Sequence, residues 1–164
     1  MLPYNELFID SGVNSGYAFF TRDRKIPING TIYVNKKLRK TLENYIKFMG
    51  IEFTNILKNF NPVCITIEHP EFWNDSEKSK TSVESGSLLH NAANAYSYAG
   101  ICQALGYNFT LVYARQWKGQ LSKEATEYRV KEILGRTFKN DHIIDAIGIG
   151  LSKDKDIWQL RKSI

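Results

Sequence analysis

The chain has 164 residues, 43% hydrophobic and 24% charged, the balance of one ordinary globular domain with a proper core. No apolar run reaches the roughly 18 residues needed to span a bilayer, and the N-terminus lacks the charged-then-apolar pattern of a signal peptide. A net charge of +5 and a pI near 9.1 permit a nucleic-acid partner without requiring one, while Cys64 and Cys102, both in apolar stretches, read as buried cytosolic thiols too few to cage zinc unaided.

Leu7, Phe8 and Ile9 form a short apolar run, the pattern of a buried strand, and Asp10 ends it. Gly12 and Gly16 bracket a tight turn, from which residues 17–20 return as a second strand. A polar turn follows at residues 21–25, and residues 31–34 read as a third strand. From Leu38 the period becomes helical, through Leu42, Tyr45, Ile46, Met49, Phe53, Ile56, Leu57 and Phe60, and Asn61-Pro62 should stop that helix. Residues 63–67 are β-branched and apolar, as in a strand covered on both faces, and Glu68 closes them.

Residues 69–86 are polar, with Phe72 and Trp73 near the start, and read as a mobile loop leading into a helix. That helix shows an apolar face with many small residues (Leu88, Leu89, Ala92, Ala95, Tyr96, Ala99, Cys102, Leu105) and stops at Gly106. Residues 109–113 are a fifth strand, and residues 114–121 a turn-like basic segment. Ser122 caps a helix from about Lys123 to Leu134, with Gly135 as its stop. Asn140 or Asp141 caps a last helix through Leu151, and residues 152–164 are a charged tail, a short helix or frayed. The order β-β-β-α-β-α-β-α-α implies an α/β domain over residues 1–164, a mixed sheet flanked by helices.

Two acids, Asp10 and Glu68, end apolar strands, and adjacent parallel strands would bring both to one edge of the sheet. Asp145 opens the apolar, glycine-rich run of residues 146–151, which must lie flat on that sheet, and Asp141 and His142 share its helix face. Singly, Asp10 is a turn cap, Glu68 a surface acid, Asp141 an N-cap and His142 a structural histidine. Together they converge as an oxygen-rich set that suits magnesium or manganese better than zinc, and several carboxylates so close would repel without cations.

Asp-x-Gly-x-x-x-Gly on a first hairpin, Glu after a fourth strand and Asp-x-x-x-Asp-Ala or His-x-x-Asp-Ala in a last helix resemble the RuvC-type Holliday junction resolvases of the ribonuclease H-like and retroviral-integrase superfamily. The likeness runs over roughly residues 7–151, and Trp-Lys-Gly-Gln-Leu-Ser-Lys at residues 117–123 is most similar to the compact phage-encoded members. It implies a ribonuclease H-like fold, a five-stranded mixed sheet of three antiparallel strands with parallel additions, flanked by helices. It further implies two Mg²⁺ ions per site, with Mn²⁺ as a substitute, held by Asp10, Glu68, Asp145 and His142, with Asp141 in reserve. Lys118 and Lys123 match lysines near the scissile phosphate, Arg115 is a further DNA contact, and Phe72 or Trp73 matches the aromatic at the junction centre. The partners implied are a four-way DNA junction and a second copy of the chain; the small-residue face around residues 92–99 suits a dimer helix and, equally well, a helix packed on the sheet. No membrane is involved, and the setting is cytoplasmic, that of a host cell for a virus-encoded chain.

Arg22, Arg24, Lys25, Lys36 and Lys37 are candidate phosphate contacts, although solvated turns carry such charges too. Three rivals stand beside this expectation. One is a nuclease of the same superfamily acting on RNA–DNA hybrids or flaps. The others are a non-catalytic junction-binding module and an ATP-handling fold of the actin and sugar-kinase type, which needs two such domains.

Overall fold

The continuous apolar run at residues 7–9 has its explanation in a sheet covered on both faces. The computed structural model describes residues 4–22, 24–71 and 86–159. Its strands are β1 (Glu6–Asp10), β2 (Ser15–Phe20), β3 (Ile28–Ile32), β4 (Cys64–Glu68) and β5 (Phe109–Val112). Between and after them come a 3₁₀ turn (Leu38–Lys40), α1 (Leu42–Phe60), α2 (Ser87–Leu105), α3 (Ala114–Trp117), α4 (Lys123–Leu134), α5 (Asp141–Leu151) and α6 (Lys155–Trp158). The sheet order is β3-β2-β1-β4-β5, with β1, β2 and β3 antiparallel and β4 and β5 added parallel to β1. Phe72 and Trp73 lie outside the described residues.

Alternation along the strands divides the core in two. Leu7, Ile9, Phe19, Ile65 and Ile67 face α1 and α2, meeting Tyr45, Met49, Phe53, Leu57, Tyr98 and Cys102. Phe8, Ala18 and Phe20 face the other way, onto Ile144, Ile147 and Leu151 of α5 and the indole of Trp117. Asp10 and Glu68 share the parity of Phe8 and Thr66, two residues before them, and so belong to the α5 face. The expected stop signals hold: Asn61 caps α1 in the left-handed region at φ 44°, and Gly106 and Gly135 do so after α2 and α4.

Four local readings change. The third strand starts earlier than residue 31, because its register aligns Ile28 with Phe19 and Gly30 with Tyr17, and a side chain at 30 would collide with the Tyr17 ring. Residues 38–40 form a separate 3₁₀ turn, since Thr41 is extended and its hydroxyl caps α1. The basic segment after β5 contains a helical turn, α3, closed by a capping box between Tyr113 and Gln116. Gly12 and Gly16 are not among the residues with positive φ, and Gly16 lies inside β2, so conformational freedom is not what either supplies. In α2, Ala95, Ala99 and Cys102 pack inward toward α1, β4 and β5, while Leu89 and Tyr96 face outward, 59% and 57% exposed.

Candidate metal and phosphate site

The site grows out of one register. β1 and β4 are parallel neighbours, and Asp10 is paired with Glu68 at their carboxyl ends. Across the other edge of β1, Asp10 is opposite Gly16. α5 crosses β1, β2 and β3, and its first turn settles over this point. An ideal Cβ at Gly16 would lie 2.0 Å from the His142 carbonyl oxygen, and one at Gly12 would lie 2.5 Å from Cε1 of the His142 ring. The two glycines are therefore the surface on which the start of α5 rests. Farther along, Gly148 accepts the Trp117 ring and Gly150 the Phe20 ring, which explains the glycine-rich sequence of this helix.

Each acid meets a donor from a different element. Nδ1 of His142 donates to Oδ2 of Asp10 at 2.5 Å, and in the neutral ring that leaves Nε2 as the atom open to a further ligand. Nζ of Lys118 donates to both oxygens of Asp145, at 3.1 and 3.4 Å. Nε1 of Trp117 donates to Oε2 of Glu68 at 2.6 Å. Lys123 is ion-paired with Asp141 farther out, where both side chains are more than half exposed, and Arg115 is paired with Glu71 at 3.0 Å. The Asn140 side chain caps α5, accepting from the backbone N–H groups of His142 and Ile143, so Asp141 is released from capping.

Electrostatics mark the site as crowded with negative charge. Burial, and next the charge of Asp10, push the Glu68 carboxyl up to about 8, against the opposing pull of the Trp117 bond. Burial also raises Asp145, and Lys118 only partly offsets it. The hydrogen bond to Asp10 raises His142, favouring its protonated form despite partial burial. Among the described residues, no group of three or more His, Cys, Asp or Glu side chains is arranged to hold a metal ion. Asp10, Asp145 and Glu68 point instead at His142, Lys118 and Trp117.

A buried polar network fixes the turn after Asp10 from beneath. Asn94 Nδ2 donates to the Gly12 carbonyl at 3.0 Å, Tyr45 OH donates to the Val13 carbonyl at 2.9 Å, and the Ser15 and Tyr98 hydroxyls are 2.9 Å apart. Ser11 Oγ ties the turn to β4 through the Glu68 carbonyl at 2.5 Å. Trp117 and this network were not among the candidates from sequence. A single large apolar residue within the polar run of residues 114–120 marks Trp117 as buried, but nothing in the run says that its N–H meets Glu68.

A five-stranded mixed sheet in the order 3-2-1-4-5, with helices on both faces, is the ribonuclease H-like fold seen in solved Holliday junction resolvases. The solved structures of this shape include Thermus thermophilus RuvC in complex with a Holliday junction substrate, which is 16% identical, covers 90% of each chain and has a TM-score of 0.69. The fowlpox virus resolvase, solved with its substrate Holliday junction DNA, is 18% identical over 92% of this chain and 99% of its own, at a TM-score of 0.53. Ydc2, the yeast mitochondrial Holliday junction resolvase, is 16% identical over 96% and 81%, at 0.54. No family model and no curated protein matches the chain by sequence. No helix among the described residues is long and apolar enough to cross a membrane.

Proposed function

We propose that this chain is a divalent-metal-dependent endonuclease that resolves four-way DNA junctions by paired nicks. The observation that carries the reading is the Asp10–Glu68 pairing at the ends of β1 and β4, with Asp145 and His142 laid over it from α5. The donor set fits Mg²⁺: it is built of hard carboxylate oxygens, and Glu68 is held up to about 8 by burial and the charge of its neighbour, a deficit of positive charge that cations would relieve. Asp10, Glu68, Asp145 and His142 would hold two ions, with Mn²⁺ as a substitute. When bound, they supply an activated water and stabilise the leaving 3′ oxygen, giving 5′-phosphate ends.

The chain's own residues do the rest. Lys118 neutralises the carboxylate of Asp145 and would be within reach of the reacting phosphate to counter its charge. Lys123, exposed beside Asp141, and Arg115 hold flanking phosphates. His142 is preferred to Asp141 as the fourth ligand because it already touches Asp10, whereas Asp141 is engaged by Lys123. Phe72 or Trp73 probes the junction centre. Two copies cut opposed strands, with Leu89 and Tyr96 as the outward surface of α2 open to a second copy. The setting is the cytoplasm, in a host cell for a virus-encoded chain.

The test is cleavage of a synthetic four-way junction, a linear duplex and an RNA–DNA hybrid in Mg²⁺, beside an Asp10→Asn protein. Asp10→Asn should bind the junction and not cut it. Cutting at the wild-type rate would remove the metal assignment, and preferential cutting of the hybrid would replace the junction as substrate.

A further inference from the structure

The sheet register separates two basic groups that look alike in sequence. Asp10 is paired with Gly16, and Glu6 with Phe20, so Arg22, Arg24 and Lys25, which follow Phe20, lie at the end of the sheet away from the acids. Four residue steps at about 3.3 Å each make that separation roughly 13 Å along the strand. Lys36, Lys37, Arg39 and Lys40 follow β3, whose Ile32 is paired with Ser15, at the same end as Asp10. From β1 to β3 is two strand spacings, roughly 10 Å.

This second group is anchored to the turn after Asp10. Asn14 Oδ1 accepts from the Val34 backbone N–H at 3.2 Å and from Arg39 Nη2 at 2.8 Å. Arg39 Nε is buried with no hydrogen-bond partner, so the guanidinium is held against the turn. Lys36, Lys37 and Lys40 are exposed, and among the described residues none of them is paired with a carboxylate. On the far side of the acids the cations are engaged: Lys118 with Asp145, Lys123 with Asp141 and Arg115 with Glu71. Three exposed charges, unpaired among the described residues, on an anchored segment at the same end of the sheet as the acids suit a polyanion whose backbone continues past the reacting phosphate.

We propose that residues 36–40 are a second phosphate-binding strip for DNA. The bound strand crosses the carboxyl edge of the sheet from the Lys118 and Lys123 side, over Asp10 and Glu68, to Lys36, Lys37 and Lys40 on the β3 side. This rests on the nuclease reading and adds to it the path of the substrate.

The experiment measures junction binding by fluorescence anisotropy across a salt series, in EDTA, with Asp10→Asn as the parent. Each phosphate contact contributes about 0.9 to the slope of log affinity against log salt. Replacing Lys36, Lys37 and Lys40 together with Gln should lower that slope by about 2.7 and weaken binding at low salt roughly 10-fold or more. Replacing Arg22, Arg24 and Lys25 with Gln removes the same formal charge and should leave the slope unchanged. An unchanged slope in the first variant, or equal losses in both, would overturn the strip. A parent that binds junction no better than linear duplex would instead sink the junction reading, and the two slopes measured on duplex would still decide the strip.

Discussion

Gly16→Ala is the sharpest probe of how the site is assembled. The added methyl carbon would lie 2.0 Å from the His142 carbonyl oxygen and 2.2 Å from its carbon, where ordinary contact begins at 3.4 Å. The start of α5 must therefore move by 3.4 less 2.0, about 1.4 Å, because both colliding groups are main chain and neither can rotate aside. Such a shift takes the 2.5 Å bond between His142 and Asp10 out of hydrogen-bond range and carries Asp145, less than a full turn along the same helix, with it. Overpacking of this kind costs about 1–3 kcal/mol, and the upper end applies to a backbone clash. A displacement of about 1 Å in a catalytic constellation lowers turnover by roughly 100-fold. The assay pairs urea unfolding, followed by tryptophan fluorescence, with junction nicking under Mg²⁺. Gly100→Ala is the control: its Cβ meets nothing within 4 Å and it lies inside α2, so it should stabilise by about 0.5–1 kcal/mol. A Gly16→Ala protein with wild-type unfolding midpoint and wild-type nicking would refute the reasoning.

Three further outcomes follow from the same geometry. In metal-free protein Glu68→Gln should stabilise the fold, because a carboxyl raised from 4.5 to about 8 opposes folding once it must ionise. The effect should vanish below pH 4.5, reach about 3 kcal/mol at pH 7 at 1.36 kcal/mol per unit, and stop growing above pH 8, while nicking is lost; equal stabilities at pH 7 would contradict it. Trp117→Phe removes the donor to Glu68 and should raise the Mg²⁺ concentration for half-maximal nicking by about 10-fold to 100-fold, so an unchanged Mg²⁺ midpoint would show that the 2.6 Å bond positions nothing. Burial pushes the Cys102 thiol up to about 12, so alkylation at pH 8 should leave it intact until the chain unfolds, and mass spectrometry finding rapid modification of Cys102 in native protein would contradict that.

Much of the framework is legible in the chain because it is written in local signals. The apolar run at residues 7–9, the β-branched run ending in Glu68 and the Asn61-Pro62 stop each depend on a few neighbouring residues, and each forms where the pattern puts it. The misjudged pieces are those whose conformation is settled by a distant partner. The third strand takes its register from Tyr17 and Phe19, and residues 114–117 coil into α3 with the Trp117 ring packed over Gly148. The small residues of α2 suited a second copy and a helix packed on the sheet equally well, and only the folded chain shows Ala95 and Cys102 fully enclosed by its own core.

From sequence alone came the kinds and order of the elements and the acids at their ends, since periodicity and stop signals act over a few residues. Tertiary structure alone decided that Gly12 and Gly16 make room for His142 and that Trp117 donates to Glu68. It also decided that Lys36, Lys37 and Lys40, and not Arg22, Arg24 and Lys25, stand beside the acids. Such pairings join residues 49 and 132 positions apart, as in Trp117 with Glu68 and His142 with Asp10, and they exist only once a helix has docked on a sheet in one register. No local pattern encodes that docking, because its energy belongs to surfaces that come together only in the folded chain.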